Sequence, residues 1–132
     1  MSGSLGNPRG RGRDKGTFIH FDSKRIGAYQ HIAAAGKLTF GLEARAKEQL
    51  SQIVEPCEGY VFDLSRLTLI DSMGMGILIH FMKTYCKGNR RMTIVVQDEL
   101  MRELLLIARL DALIPLCSTL DEAVRLLKGD GT

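Results

Sequence analysis

Residues 60–96 constrain the fold more than any other stretch. Residues 60–64 (Tyr-Val-Phe-Asp-Leu) read as a buried strand, and 92–96 as another, continuous and apolar enough for the middle of a sheet. Between them Ile77, Leu78, Phe81, Met82 and Tyr85 recur at helical spacing, and Gly88-Asn89 close that helix. Two neighbouring strands joined through a helix run parallel, because the helix carries the chain back across the sheet.

The rest of the chain extends this unit. Residues 17–21 (Thr-Phe-Ile-His-Phe) look like a first strand, 22–27 a turn and 28–34 a second strand. Leu42, Ala46, Leu50 and Ile53 are spaced by four, four and three, one apolar stripe on a helix that ends near 56–59. A short link, 65–69, follows the strand at 60–64. Asp98 is a good N-cap for a helix running to about Arg109, and 113–117 reads as a short edge strand. Thr119-Leu120-Asp121-Glu122 is a capping box that opens the last helix. The predicted order is β-β-α-β-α-β-α-β-α, an α/β fold whose sites gather at the carboxyl ends of its strands.

The 132 residues fit one domain plus a tail, and 45% apolar content supports a real core. Residues 1–16 are rich in Gly, Ser and Arg and are predicted to be a disordered basic tail, leaving 17–132 as the domain. The net charge of +3 lies wholly in that tail, in Arg9, Arg11, Arg13 and Lys15 less Asp14. The remainder balances to zero, which argues against a nucleic-acid partner. Cys57, Cys86 and Cys117 are far apart, with no C-x-x-C pair or Cys/His cluster, so no metal or other cofactor is expected. No signal-peptide core is evident, and no apolar run approaches the roughly 18 residues needed to cross a bilayer. A cytoplasmic protein without membrane insertion is the expectation.

The chemistry concentrates at Ile70-Asp71-Ser72-Met73-Gly74-Met75-Gly76, just past the strand at 60–64 and at the head of the second helix. Serine there is an ordinary N-cap, its hydroxyl satisfying a free N–H. Gly74 and Gly76 are not what stability would choose, since each costs about 1 kcal/mol against alanine in a helix. They suit a place that a partner backbone or a phosphate must approach. A phosphate on Ser72 would add about −1.5 to −2 charge, which a helix N-terminus accepts without unfolding.

This segment, preceded by Asp63-Leu64-Ser65, resembles the signature of the STAS domain, the family of the anti-sigma factor antagonists. The family pattern reads D-L-S, a short spacer, I-D-S, a small residue, then G-L-G. Gly36-Lys37-Leu38 resembles the family's lead-in to its first helix, and Leu110-Asp111-Ala112-Leu113 a later G-L-D-x-L stretch. The resemblance runs from about Ala28 to Leu127. It implies a small mixed sheet with four to five helices and a non-enzymatic, cytoplasmic regulator. It also implies that Ser72 is phosphorylated by a serine kinase that doubles as an anti-sigma factor, and reset by a PP2C-type phosphatase. The unphosphorylated form would bind the kinase. Asp71, Met73, Gly74, Met75, Gly76 and Thr39 are the implied partner-binding residues, with Asp71 orienting the loop. Met73 stands where the family has a small residue, Met75 where it has leucine, and Thr39 where an acidic residue is common.

Rival chemistries fit less well. An esterase elbow needs glycine two residues before its serine, where Ile70 stands, and His80 is two helical turns away. A phosphoacceptor domain using Asp63 needs an acidic pair to hold Mg²⁺, which the first strand lacks, and no G-K-[ST] follows the glycines. The better alternative is a STAS-like accessory subunit of a lipid or anion transporter, with the basic tail on an anionic membrane face. A scaffold in which Thr68 or Thr39 also takes phosphate is a third reading.

Overall fold

The computed structural model describes residues 18–129. The tail expected over 1–16 lies outside them. Among the described residues five strands form one sheet in the order β1-β2-β3-β4-β5. They are β1 (Ile19–Ile26), β2 (Tyr29–Leu38), β3 (Gly59–Ile70), β4 (Arg91–Val95) and β5 (Leu116–Cys117). β1 is antiparallel to β2, and every later pairing is parallel. The helices are α1 (Glu43–Ile53), α2 (Ser72–Tyr85), α3 (Glu99–Ile107) and α4 (Leu120–Lys128), with a 3₁₀ turn at Leu110–Ala112. Among the described residues this is the expected α/β order, with a small mixed sheet and four helices.

Alternation along the strands divides the core in two. Tyr60, Phe62 and Leu64 of β3 pack with Ala46 and Leu50 of α1, Ile77, Leu78 and Phe81 of α2, and Met101 and Leu105 of α3. Val61 and Val95 point to the other face, where Ala123 and Leu127 of α4 cover them. The Phe81 ring stands edge-on to Tyr60 and Phe62, with centroids 5.1 and 5.3 Å apart. Such pairs add about 0.5–1.5 kcal/mol beyond area burial. They fasten α2 across β3, so the head of α2 has a fixed place at the strand ends.

Three expectations are corrected. β1 continues to Ile26, because Asp22, Ser23, Lys24 and Arg25 belong to a polar edge strand, and the turn is only Gly27-Ala28, with Gly27 at φ +61°. β2 runs on to Leu38, so Gly36-Lys37-Leu38 is strand and not helix lead-in. The link expected over 65–69 is also strand. β3 stays paired with β2 to Ile70, through register shifts between Ala33 and Ala35 and between Gly36 and Lys37. Irregularities of that kind break the two-residue period by which a strand is recognised. The result carries β3 all the way to Asp71.

Candidate functional site at the head of α2

The carboxyl ends of β2 and β3 lie side by side, Leu38 paired with Ile70. Asp71 follows in extended conformation (φ −121°, ψ −172°) as the N-cap of α2. Its Oδ1 accepts the Gly74 N–H at 2.9 Å, and its Oδ2 accepts the Phe40 N–H at 2.9 Å. One carboxylate therefore caps the helix and ties down the loop after β2. Burial works against its charge, but the N–H groups of Phe40 and Gly74 outweigh it and hold the carboxyl below the ordinary range.

Ser72 is thereby not the cap. It is the first helical residue, exposed, and the capping duty it was expected to discharge belongs to Asp71. Its hydroxyl is free of that task.

The two glycines differ. Gly74 is buried, and a Cβ there would overlap the Leu38 carbonyl oxygen and come within 2.9 Å of Ile70 Cγ1. The close approach it permits is internal, between the helix head and the end of β2. Gly76 is exposed, with nothing within 4 Å of where its Cβ would stand. Met73 is 42% exposed. Met75 packs partly against the core. Thr39 is half-buried in the loop after β2, its carbonyl accepting the Leu42 N–H at 3.1 Å.

Two residues at this corner escaped the sequence reading. Phe40, whose N–H meets Asp71, is 76% exposed, and Leu69, two residues before Asp71, is 45% exposed. The signal for Phe40 is an aromatic directly before Gly41, in the short loop between β2 and α1. Leu69 lies in the part of β3 whose sequence reads as a link. An accessible hydroxyl thus sits among exposed apolar residues, a pattern suited to recognition by another protein.

The histidines are engaged elsewhere. His80 faces Thr84 across 3.4 Å further along α2, His20 meets Asp22 at 2.9 Å, and His31 meets Asp63 at 2.9 Å. Among the described residues no group of three or more His, Cys, Asp or Glu could hold a metal ion. Among the same residues no helix is long and apolar enough to cross a membrane.

A family model described as STAS domain matches residues 24–123. The chain belongs to the STAS domain family. Solved structures agree on the fold. An anti-sigma factor antagonist from Mycobacterium paratuberculosis is similar with a TM-score of 0.75 and 20% identity, over 84% of this chain and 95% of that one. A sulfate transporter family protein from Wolinella succinogenes is similar with a TM-score of 0.65 and 18% identity, over 80% of this chain and 88% of that one. The anti-sigma factor antagonist SpoIIAA in its unphosphorylated form is similar with a TM-score of 0.59 and 17% identity, over 83% of this chain and 99% of that one. No curated protein matches the chain in sequence. Within this STAS domain the I-D-S segment falls at the carboxyl end of β3 and the first turn of α2, and D-L-S lies inside β3.

Proposed function

We propose that this STAS domain is a non-enzymatic, cytoplasmic, phosphorylation-controlled regulator, with Ser72 as the phosphoacceptor. The unmodified form binds a serine kinase that also acts as an anti-sigma factor, and a PP2C-type phosphatase resets the modified form. The observation that carries this reading is the division of labour at the head of α2. Asp71 does the capping, so an exposed hydroxyl is available without loss of the helix. Similarity to an anti-sigma factor antagonist, and to another described in an unphosphorylated form, supports it. Phosphate on Ser72 would lie on the positive end of α2, yet close to the Asp71 carboxylate, so it would change the surface charge more than the fold. Gly76, Met73 and Phe40 would then form the contact surface around it, with Thr39 and Met75 at its margin. Gly74 would act by letting α2 seat against β2.

The test is phosphopeptide mapping of the protein recovered from its native cells. Phosphate on Ser72 that disappears in Ser72→Ala supports the reading. Phosphate confined to Thr39 or Thr68 rejects it in favour of a scaffold with a different acceptor.

The second reading is an accessory subunit of a lipid or anion transporter, to which the likeness to the Wolinella sulfate transporter family protein lends support. In that case a membrane protein would be retained by the domain whether or not Ser72 carries charge.

A further inference from the structure

Residues 17–132 are neutral overall. Their charge is nonetheless unevenly spread along the strands, although Lys37, Arg45 and Arg102 stand towards the end where the helices begin. The parallel strands end at the head of α2, where the helices begin with Asp71, Asp98, Glu99, Asp121 and Glu122. At the opposite end, where β3 and β4 begin, cations arrive from four separate segments. They are Lys83 in the last turn of α2, Lys87 and Arg90 in the following loop, Arg109 after α3, and Arg125 and Lys128 in the last turn of α4. All six are exposed. Arg91 is set apart, since its guanidinium donates to the Leu126 and Leu127 carbonyls at 3.1 and 2.8 Å and so serves the end of α4. Among the described residues the acidic ones at this end are Glu58, Asp111 and Glu55; Glu58 lines a groove with Lys87 and Arg90, and Glu55 lies 3.5 Å from Arg25.

The same end exposes large apolar side chains. Ile107 at the last turn of α3 is 76% exposed, and Leu113 beyond the 3₁₀ turn is 53% exposed. Leu113 shares a groove with Arg90, Met82 and Cys86, so apolar and cationic groups are interleaved there. Lys87 and Arg90 line a second, adjoining groove with Leu127.

We propose that this basic pole docks on an anionic bilayer surface, with Ile107 and Leu113 entering the headgroup layer and the ring of cations meeting lipid phosphates. The charge is complementary, and exposed apolar residues flanked by long cationic side chains need no shaped receptor pocket; Ile107 ends an exposed apolar run of α3 that includes Leu104 and Leu106. The cations come from four segments at one end of the molecule, so no single helix or strand carries the surface. Docked in this way, the head of α2 faces away from the membrane and stays open to a protein partner. The inference stands apart from the phosphorylation of Ser72, since none of its residues belongs to that site.

The test is co-sedimentation of the full chain with vesicles of phosphatidylcholine alone, and with about 30% phosphatidylserine. Binding to the anionic vesicles only, abolished by high salt, is expected. The double variant Lys87→Glu/Arg90→Glu should weaken it by about tenfold or more, and Ile107→Gln should weaken it with little change in melting temperature, since Ile107 is exposed. A full-length chain with Arg9, Arg11 and Arg13 changed to Ser should still bind. Equal binding by the pole variants, loss of binding in the tail variant alone, or equal binding to neutral vesicles would each overturn the proposal. So would burial of Ile107 and Leu113 in a stable dimer, read by sedimentation velocity.

Discussion

Helices α2 and α4 both start just past the end of a parallel strand and both are capped by a side chain, but their first turns are built to different ends. At α4 the Thr119 hydroxyl accepts the Glu122 N–H at 3.1 Å, and the Glu122 carboxylate accepts the Ser118 N–H at 2.9 Å. Asp121 and Glu122 add negative charge to the positive end of the helix. Polar groups there serve the helix. At α2 the first turn has no acidic residue, Asp71 alone does the capping, and glycines stand at 74 and 76. A helix start under selection for stability alone would look like that of α4. The start of α2 leaves a hydroxyl unspent and a helix dipole able to take more negative charge.

That contrast can be broken at several points. The largest effect is expected at Gly74→Ala, where the added methyl meets the Leu38 carbonyl, and thermal unfolding should register a loss of about 3 kcal/mol. A neutral Gly74→Ala would mean that α2 is not seated on β2 as described. Next comes Asp71→Ala, with a loss of about 1–2 kcal/mol in denaturant melts, since a cap and the tie to Phe40 go together. Thr119→Ala should cost about 1 kcal/mol or less, having no second loop to hold.

Acid sharpens the Asp71 result. Its carboxyl titrates lower in the folded chain than in the unfolded one, so its contribution is complete above the ordinary value of 3.8. The contribution is lost as pH falls through the folded value. The stability gap between the native chain and Asp71→Ala should therefore hold from neutral pH downward and close only below about pH 4. A gap that closes near pH 6 would point to a different group.

Gly76→Ala should raise stability by up to about 1 kcal/mol, because its side-chain position is open and helical. If Gly76 is kept for a partner, the same substitution should weaken binding while the melting temperature rises. Ser72→Ala is expected to have the smallest effect on folding, within about 0.5 kcal/mol. A loss comparable with Thr119→Ala would restore the capping role to Ser72.

The parallel spine was legible because 60–64, the helix with Phe81, and 92–96 carry clean periods that tertiary packing only reinforces. Asp98 and Thr119 behave as the capping rules require, with Met101 N–H donating to Asp98 at 2.8 Å. The capping box differs in one bond, which ends on Ser118 instead of Thr119. The length of β3 was not legible, because the register shifts against β2 put Ser65, Arg66, Thr68 and Leu69 out of phase. β1 was cut short for a related reason, as an edge strand with polar residues imitates a turn. At the site, sequence found the segment but not the roles within it. Choosing between Asp71 and Ser72 as cap depends on backbone angles, and the demand for glycine at 74 depends on a carbonyl from β2. The gathering of cations at the helix C-terminal end was illegible in composition, since the residues after the tail sum to zero.

The central claim is that charge on Ser72 governs partner binding and leaves the fold alone. The direct measurement is an affinity pull-down from a lysate of the native cells with the unmodified chain, Ser72→Ala and Ser72→Asp, followed by mass spectrometry, with the three melting temperatures compared. A serine kinase or anti-sigma factor held by the unmodified chain and by Ser72→Ala, and released by Ser72→Asp, is the expected result. The same protein held equally by all three forms would contradict the claim.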